Sequence, residues 1–119
     1  MDDFKVMARI LAAVKECEHA REMNPTMFDT KLLKADEATR DSLIVKLQRD
    51  GYVEGFCIID DIDGHPYPVV LIEKSVPNIT IKGLTFIEEN KPLKKMIETL
   101  KKEIWDVAKR GLAHGIMLL

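Results

Sequence analysis

The stretch that decides the fold runs from Asp36 to Val53 and reads DEATRDSLIVKLQRDGYV. Asp36 is a good helix N-cap, because its carboxylate accepts hydrogen bonds from the free amides of the first turn. Apolar residues follow at the spacing of one buried helical stripe, namely Leu43, Ile44 and Leu47. Gly51 then ends the helix as a C-terminal cap. The stretch predicts a helix from Asp36 to about Asp50.

Two more helices are predicted before this stretch. Residues 3 to about 22 carry apolar side chains three and four apart, the period of a helix with one buried face. Asn24 and Pro25 end that helix, because a residue before proline avoids helical backbone and proline has no amide hydrogen to donate. A short second helix fits Asp29 to Lys34.

After Gly51 the apolar pattern becomes that of strands. Apolar runs over residues 53–59 and 67–72 flank a turn-rich segment, which predicts a β-hairpin. Asp63 and Gly64 suit the positive φ values of its turn. A short strand or extended segment is expected at residues 79–81.

The remainder of the chain is predicted to be helical. Gly83 to Asn90 fits a helical turn or short helix, and Pro92 fits the first turn of a final helix that runs to about Arg110. The order of elements predicts an α+β fold, a winged helix-turn-helix whose third helix is the recognition helix, with a C-terminal helical tail over about 92–110. With 119 residues and 46% hydrophobic content, residues 1–119 are expected to form a single domain.

Composition excludes several classes of protein. The net charge of -2 argues against a general nucleic-acid coat protein, since non-specific affinity comes from basic side chains. An acidic start and the lack of a long apolar run predict a cytoplasmic protein without membrane contact. Cys17 and Cys57 lie among apolar neighbours and are expected to be buried free thiols.

No metal site, cofactor or catalytic activity is expected. If Gly64 were the glycine of a calcium loop, the first and last ligand positions would fall on the apolar Ile59 and Val70. Cys17 and His19 are two residues apart on a helix, so they point in different directions and do not suit zinc. No nucleophile motif or phosphate-binding glycine loop is present.

Two segments resemble a known family. They are LQRDGYV at residues 47–53, a pattern that also ends recognition helices in other winged-helix groups, and the more discriminating IKGLTFIEEN at residues 81–90. The chain resembles the YjcQ-like proteins, small and often prophage-associated winged-helix proteins of unknown function, over roughly Lys5 to Val107. The resemblance implies the winged-helix fold and DNA binding, with no established activity.

Arg40 departs from the winged-helix pattern, because recognition helices usually place an apolar residue there, facing the second helix. Either Arg40 packs its methylene groups on the core and exposes its charged group at the edge of the core, or the third helix is slightly rotated. The first interpretation is favoured.

Polar and basic residues on the outward face of the third helix are the candidate DNA contacts: Thr39, Ser42, Lys46 and Arg49. Acidic residues share that face and would repel phosphates unless they contact cytosine amino groups, namely Glu37, Asp41 and Asp50. The alternative is a solvated face on a helix that only builds the core. His65 and Tyr67 are further candidates in the predicted wing, although its tip is acidic.

The tail supplies a candidate dimer interface. Trp105 and Leu112 lie to one side of the apolar stripe that begins at Leu93, which predicts a homodimer. The alternative is that Trp105 folds over its own core. Two functional hypotheses follow: a dimeric regulatory or accessory DNA-binding protein of prophage type, or a protein-interaction module that uses its acidic face or its tail, a role as a DNA mimic included.

Overall fold

A computed structural model describes residues 3–60, Gly64 and residues 68–118, with side chains in the last helix described as far as Ile104 and at Asp106. The helices are α1 (Asp3–Ala20), α2 (Thr30–Leu33), α3 (Glu37–Arg49), α4 (Ile81–Glu89) and α5 (Lys91–Leu118). The short strands are β1 (Val53–Glu54), β2 (Ile58–Ile59), β3 (Val69–Val70) and β4 (Asn78–Ile79). Single 3-10 turns lie at Pro25–Phe28 and Ile72–Lys74. The predicted α+β class is confirmed, and the order of elements is compatible with a winged helix.

The ends of α3 are set by the local signals seen in the sequence. Asp36 Oδ1 accepts a hydrogen bond from the Thr39 amide at 2.7 Å. At the other end Gly51 takes a φ of 83°, and the Tyr52 amide donates to the Leu47 carbonyl at 2.9 Å. This is the closing hydrogen bond of a Schellman cap, which satisfies carbonyls that the helix leaves free.

The strands pair differently from the prediction of one long hairpin. β2 pairs antiparallel with β3, so that Ile58 faces Val70, and this pair forms the hairpin. β1 instead pairs antiparallel with β4, so that Val53 faces Ile79. Sequence periodicity identifies strand-forming residues but does not say which strand lies beside which.

The last helix is longer than expected. α5 begins at Lys91 and continues to Leu118, past the predicted end near Arg110. Gly111 and Gly115 lie inside α5. A glycine in a helix interior destabilises the helix by only about 1 kcal/mol relative to alanine, so it does not by itself end the helix.

The core is built around α1, which packs against α3, β4 and α5. Its most deeply buried large side chains come from nearly every helix: Ile10, Leu11, Phe28, Leu33, Ile44, Leu93, Ile97 and Ile104. α3 contacts both α1 and β3, which places the β2–β3 hairpin beside α3. None of the helices in the described ranges has both the length and the apolar character needed to cross a membrane.

Candidate nucleic-acid interface

Three of the four residues predicted on α3 lie on its exposed side. Ser42, Lys46 and Arg49 are exposed, and they follow one another at spacings of four and three residues, which aligns them along one face. Thr39 is half-buried, and its amide and hydroxyl both donate to Asp36. These hydrogen bonds lower the pKa of Asp36. Thr39 therefore serves the helix cap.

Arg49 connects α3 to the hairpin segment. Its Nη2 donates to Asp60 Oδ1 at 2.6 Å, and Asp60 directly follows β2. The two side chains are 60% and 57% exposed, so water and salt screen the pair and it contributes little to stability. The effect of the pair is electrostatic, because Asp60 offsets the positive charge of Arg49 on this face of α3.

Asp41 corrects the predicted charge of this face. The sequence placed it outward, but its side chain is only 5% exposed and its Oδ2 accepts a hydrogen bond from the Val70 amide at 3.1 Å. Its Oδ1 accepts from Arg40 Nε at 2.9 Å. One of the three acids expected to repel DNA is thus turned inward.

Arg40 does not release its charge at the edge as the favoured interpretation proposed. Its side chain is 11% exposed, and besides pairing with Asp41 it donates from Nη1 to the Phe28 carbonyl at 3.2 Å. The guanidinium can therefore lie where an apolar residue is expected, because the Asp41 carboxylate and the Phe28 carbonyl accept its hydrogen bonds. Neither partner is predictable from the local pattern.

Gln48 holds the start of the hairpin segment. Its Nε2 donates to the Phe56 carbonyl at 3.1 Å, and its Oε1 accepts from the Phe56 amide at 2.9 Å. Together with Asp41 and Arg49 it binds the segment after β1 to α3 at three points. Sequence analysis missed this role, because a glutamine in a helix carries no signal of a partner eight residues away.

Lys82 is a base that sequence analysis did not assign to this surface. Its Nζ donates to the Asp50 carbonyl at 2.6 Å and lies 5.0 Å from the centre of the Tyr52 ring. The Tyr52 ring in turn stacks on Phe86 at 4.5 Å. A cation at a helix C-terminus is favoured by the helix dipole, but the fold alone brings α4 to that end of α3.

The other predicted site residues fall outside the described part of the molecule. His65 and Tyr67 lie between Gly64 and residue 68, and the side chains of Trp105 and Leu112 are not among those described in α5. Among the residues that are described, no three His, Cys, Asp or Glu side chains are grouped to hold a metal ion.

The cysteines are free and differ in burial. Cys17 is buried as predicted, and burial raises the pKa of its thiol, whereas Cys57 is only half-buried. The expectation of burial is therefore confirmed for Cys17 alone.

The helices and the hairpin bonded to α3 make this an α+β protein compatible with the winged-helix class. The family model of the YjcQ protein matches residues 8–107, and the chain belongs to that family. Searches of the curated proteins and of the solved structures found no match.

Proposed function

We propose that this chain is a non-catalytic regulatory or accessory protein of prophage type that binds duplex DNA in the cytoplasm. The observation that supports this function best is the exposed row of Ser42, Lys46 and Arg49 along α3, the helix to which the hairpin is bonded. In winged-helix proteins the corresponding helix enters the major groove, where hydroxyl and basic side chains contact bases and phosphates.

The charge around this row favours DNA binding more than the sequence alone predicts. Asp41 is buried against Arg40 and Val70, so it does not repel phosphates. Lys82 adds an exposed cation at the C-terminal end of α3. Glu37 and Asp50 remain exposed, so each protomer should contact few phosphates and bind DNA weakly on its own.

A homodimer would compensate for weak binding by one protomer. Two recognition helices related by a two-fold axis would contact successive turns of the duplex, about 34 Å apart. The tail residues Trp105 and Leu112 are the proposed contacts between the protomers.

The salt dependence of DNA binding tests the proposal directly. In fluorescence anisotropy with a labelled duplex, Lys46→Ala with Arg49→Ala should flatten the plot of log affinity against log salt by about one unit per lost phosphate contact. The double variant Lys91→Ala with Lys95→Ala removes the same charge from exposed positions on α5 and should leave the slope unchanged. Equal slopes for wild type and the α3 variant would show that Lys46 and Arg49 do not contact phosphates.

The second candidate is a winged-helix module that binds another protein. The exposed acids Glu37, Asp50 and Asp60 favour it, as does the apolar side chain of Ile81, which is 84% exposed at the start of α4. Wild-type protein that binds no duplex even at low salt would favour this candidate over the first.

A further inference from the structure

The two ends of α3 expose opposite charge. Asp36, the N-cap, and Glu37 in the first turn are exposed acids, whereas the exposed bases Lys46 and Arg49 lie in the last turn. In many helix-turn-helix proteins the N-terminal residues of the recognition helix contact the bases of DNA. Carboxylates at that end would repel the phosphates that flank the groove. The charge along α3 therefore favours its C-terminal end as the part nearest to a duplex.

The first turn of α4 is fixed against this C-terminal end of α3. The Thr80 hydroxyl donates to the Gly51 carbonyl at 2.5 Å, and the Thr80 amide donates to the Tyr52 carbonyl at 3.1 Å. The same hydroxyl accepts a hydrogen bond from the Gly83 amide at 2.9 Å, so Thr80 is also the N-cap of α4. Thr80 thus joins the start of α4 to the turn that follows α3. The last turn of α3 and the first turn of α4 together are called the α3–α4 corner below.

Lys82 is held in place in the α3–α4 corner, yet its side chain is exposed. Its Nζ donates to the Asp50 carbonyl at 2.6 Å and lies 5.0 Å from the centre of the Tyr52 ring. An ammonium group carries three N–H donors, so the hydrogen bond to Asp50 leaves donors for another acceptor. A side chain that is already held in one position also loses less conformational entropy on binding than a mobile lysine does.

Lys82 also decides the sign of the charge in the α3–α4 corner. The bases of α3 there are Lys46 and Arg49, but the Asp50 side chain is exposed at the same end and Asp60 pairs with Arg49. Among these described side chains, the two acids would offset the two bases of α3. Lys82 therefore supplies the excess of positive charge that attracts an anionic partner.

We propose that the sugar-phosphate backbone of DNA crosses the α3–α4 corner and that the Lys82 ammonium donates to one of its phosphates. This inference rests on the proposed DNA binding and adds to it the end of α3 at which the duplex lies and a contact from α4. A hydrogen bond from an ammonium to a phosphate oxygen is charge-assisted and belongs to the strong class of hydrogen bonds.

One rival explanation gives Lys82 a structural role alone. A cation at the C-terminus of a helix interacts favourably with the helix dipole, and the hydrogen bond of Lys82 to the Asp50 carbonyl has this geometry. The two explanations differ in what Lys82→Ala changes. A structural role predicts a lower Tm and an unchanged salt dependence of DNA binding, whereas a phosphate contact predicts a weaker salt dependence.

Fluorescence anisotropy with a labelled duplex over a range of salt concentrations measures this dependence. Lys82→Ala should flatten the plot of log affinity against log salt by about one unit, the value for one phosphate contact. Lys82→Arg keeps the charge and should keep the wild-type slope. Lys95→Ala removes one exposed charge from α5 and should keep that slope as well. Circular dichroism checks that each variant is folded at the temperature of the titration.

Glu37→Gln tests the opposite end of α3. Glu37 lies about 18 Å from Arg49 along the helix axis, since each residue advances an α-helix by about 1.5 Å. This exceeds the Debye length of about 8 Å at physiological salt, so Glu37→Gln should change the affinity for DNA less than about twofold there. A larger gain would place the duplex at the N-terminal end of α3 and overturn the proposal.

Failure of this inference is distinguishable from failure of the proposed function. If the wild type binds the duplex and Lys82→Ala keeps the wild-type slope, the phosphate contact of Lys82 is overturned and DNA binding by α3 remains. If the wild type binds no duplex even at low salt, both are overturned.

Discussion

The Asp41 side chain of α3 accepts a hydrogen bond from the backbone amide of Val70 in β3, 3.1 Å away. The same carboxylate pairs with Arg40, so one side chain satisfies a buried cation and a strand amide together. This carboxylate therefore helps to fix the position of the hairpin against α3.

Asp41→Ala should destabilise the fold by about 3 kcal/mol, because it leaves Arg40 Nε and the Val70 amide without their acceptor and a buried guanidinium without its counter-charge. Urea unfolding followed by circular dichroism measures the change. Ser42→Ala, the exposed neighbour, should stay within about 0.5 kcal/mol of wild type. An Asp41→Ala protein as stable as that control would show that the buried network contributes nothing.

Gly83→Ala should also destabilise the protein, by about 1 to 3 kcal/mol. A methyl group at this position would overlap the Tyr52 carbonyl oxygen and lie 2.7 Å from Ile79 Cγ2. Helix propensity alone predicts the opposite sign, because alanine is favoured over glycine inside a helix. A thermal melt separates the two effects: a raised Tm would mean that α4 does not approach Tyr52 and β4 so closely.

Asp60→Asn should strengthen DNA binding severalfold, if α3 is the DNA-contacting helix. The substitution frees Arg49 from its ion pair and removes a charge that repels phosphates. Anisotropy at low salt measures the gain. Glu89→Gln removes the same charge from an exposed site on α4 and controls for net charge. Equal gains for both variants would assign the effect to net charge rather than to Arg49.

Asp36→Ala should lower the Tm at neutral pH by a few degrees, because α3 loses its N-cap. Hydrogen bonds from Thr39 hold the pKa of Asp36 below its ordinary value of 3.8. A carboxylate with a lowered pKa stabilises the fold above its unfolded pKa and loses that effect as pH falls through the folded pKa. The difference in Tm between wild type and variant should therefore shrink below about pH 4.

Asp36→Ser is the control for this titration. Serine caps a helix without a titratable group, so the Tm of Asp36→Ser should stay close to that of wild type at neutral pH. A deficit for Asp36→Ala that is the same at pH 3 and pH 7 would show that the charge of Asp36 plays no part in the cap.

Trp105→Glu should convert the proposed homodimer into a folded monomer. Loss of a buried aromatic anchor costs about 2 kcal/mol or more of association, which shifts the equilibrium at micromolar concentration. Sedimentation of wild type and variant measures it, with circular dichroism as the check on folding. Wild-type protein that stays monomeric at high concentration, or a variant that unfolds, would assign Trp105 to the core of its own domain.

Local sequence signals were sufficient to predict the ends of α3. Its N-cap and its glycine C-cap act through hydrogen bonds to residues at most five positions away, so they are legible in a short window of sequence. The apolar stripe predicted its buried face for the same reason. The end of α5 was missed because two glycines weaken a helix without ending it.

The candidate site was predicted only in part. Ser42, Lys46 and Arg49 lie outward as expected, since helical periodicity determines which residues share a face. That Asp41 is buried and that Lys82 lies beside α3 depend on partners about 30 residues away. No pattern within one element reveals such partners.

By itself, the sequence determined the helices, the residues that form strands, the family and the cations available on α3, because hydrophobic periodicity and capping act within a few residues. Only the tertiary structure decided that β1 pairs with β4, that Asp41 turns inward to Arg40 and that Lys82 lies at the C-terminal end of α3. The reason is physical: strand pairing, desolvation and the satisfaction of buried charge depend on which distant segments are packed together.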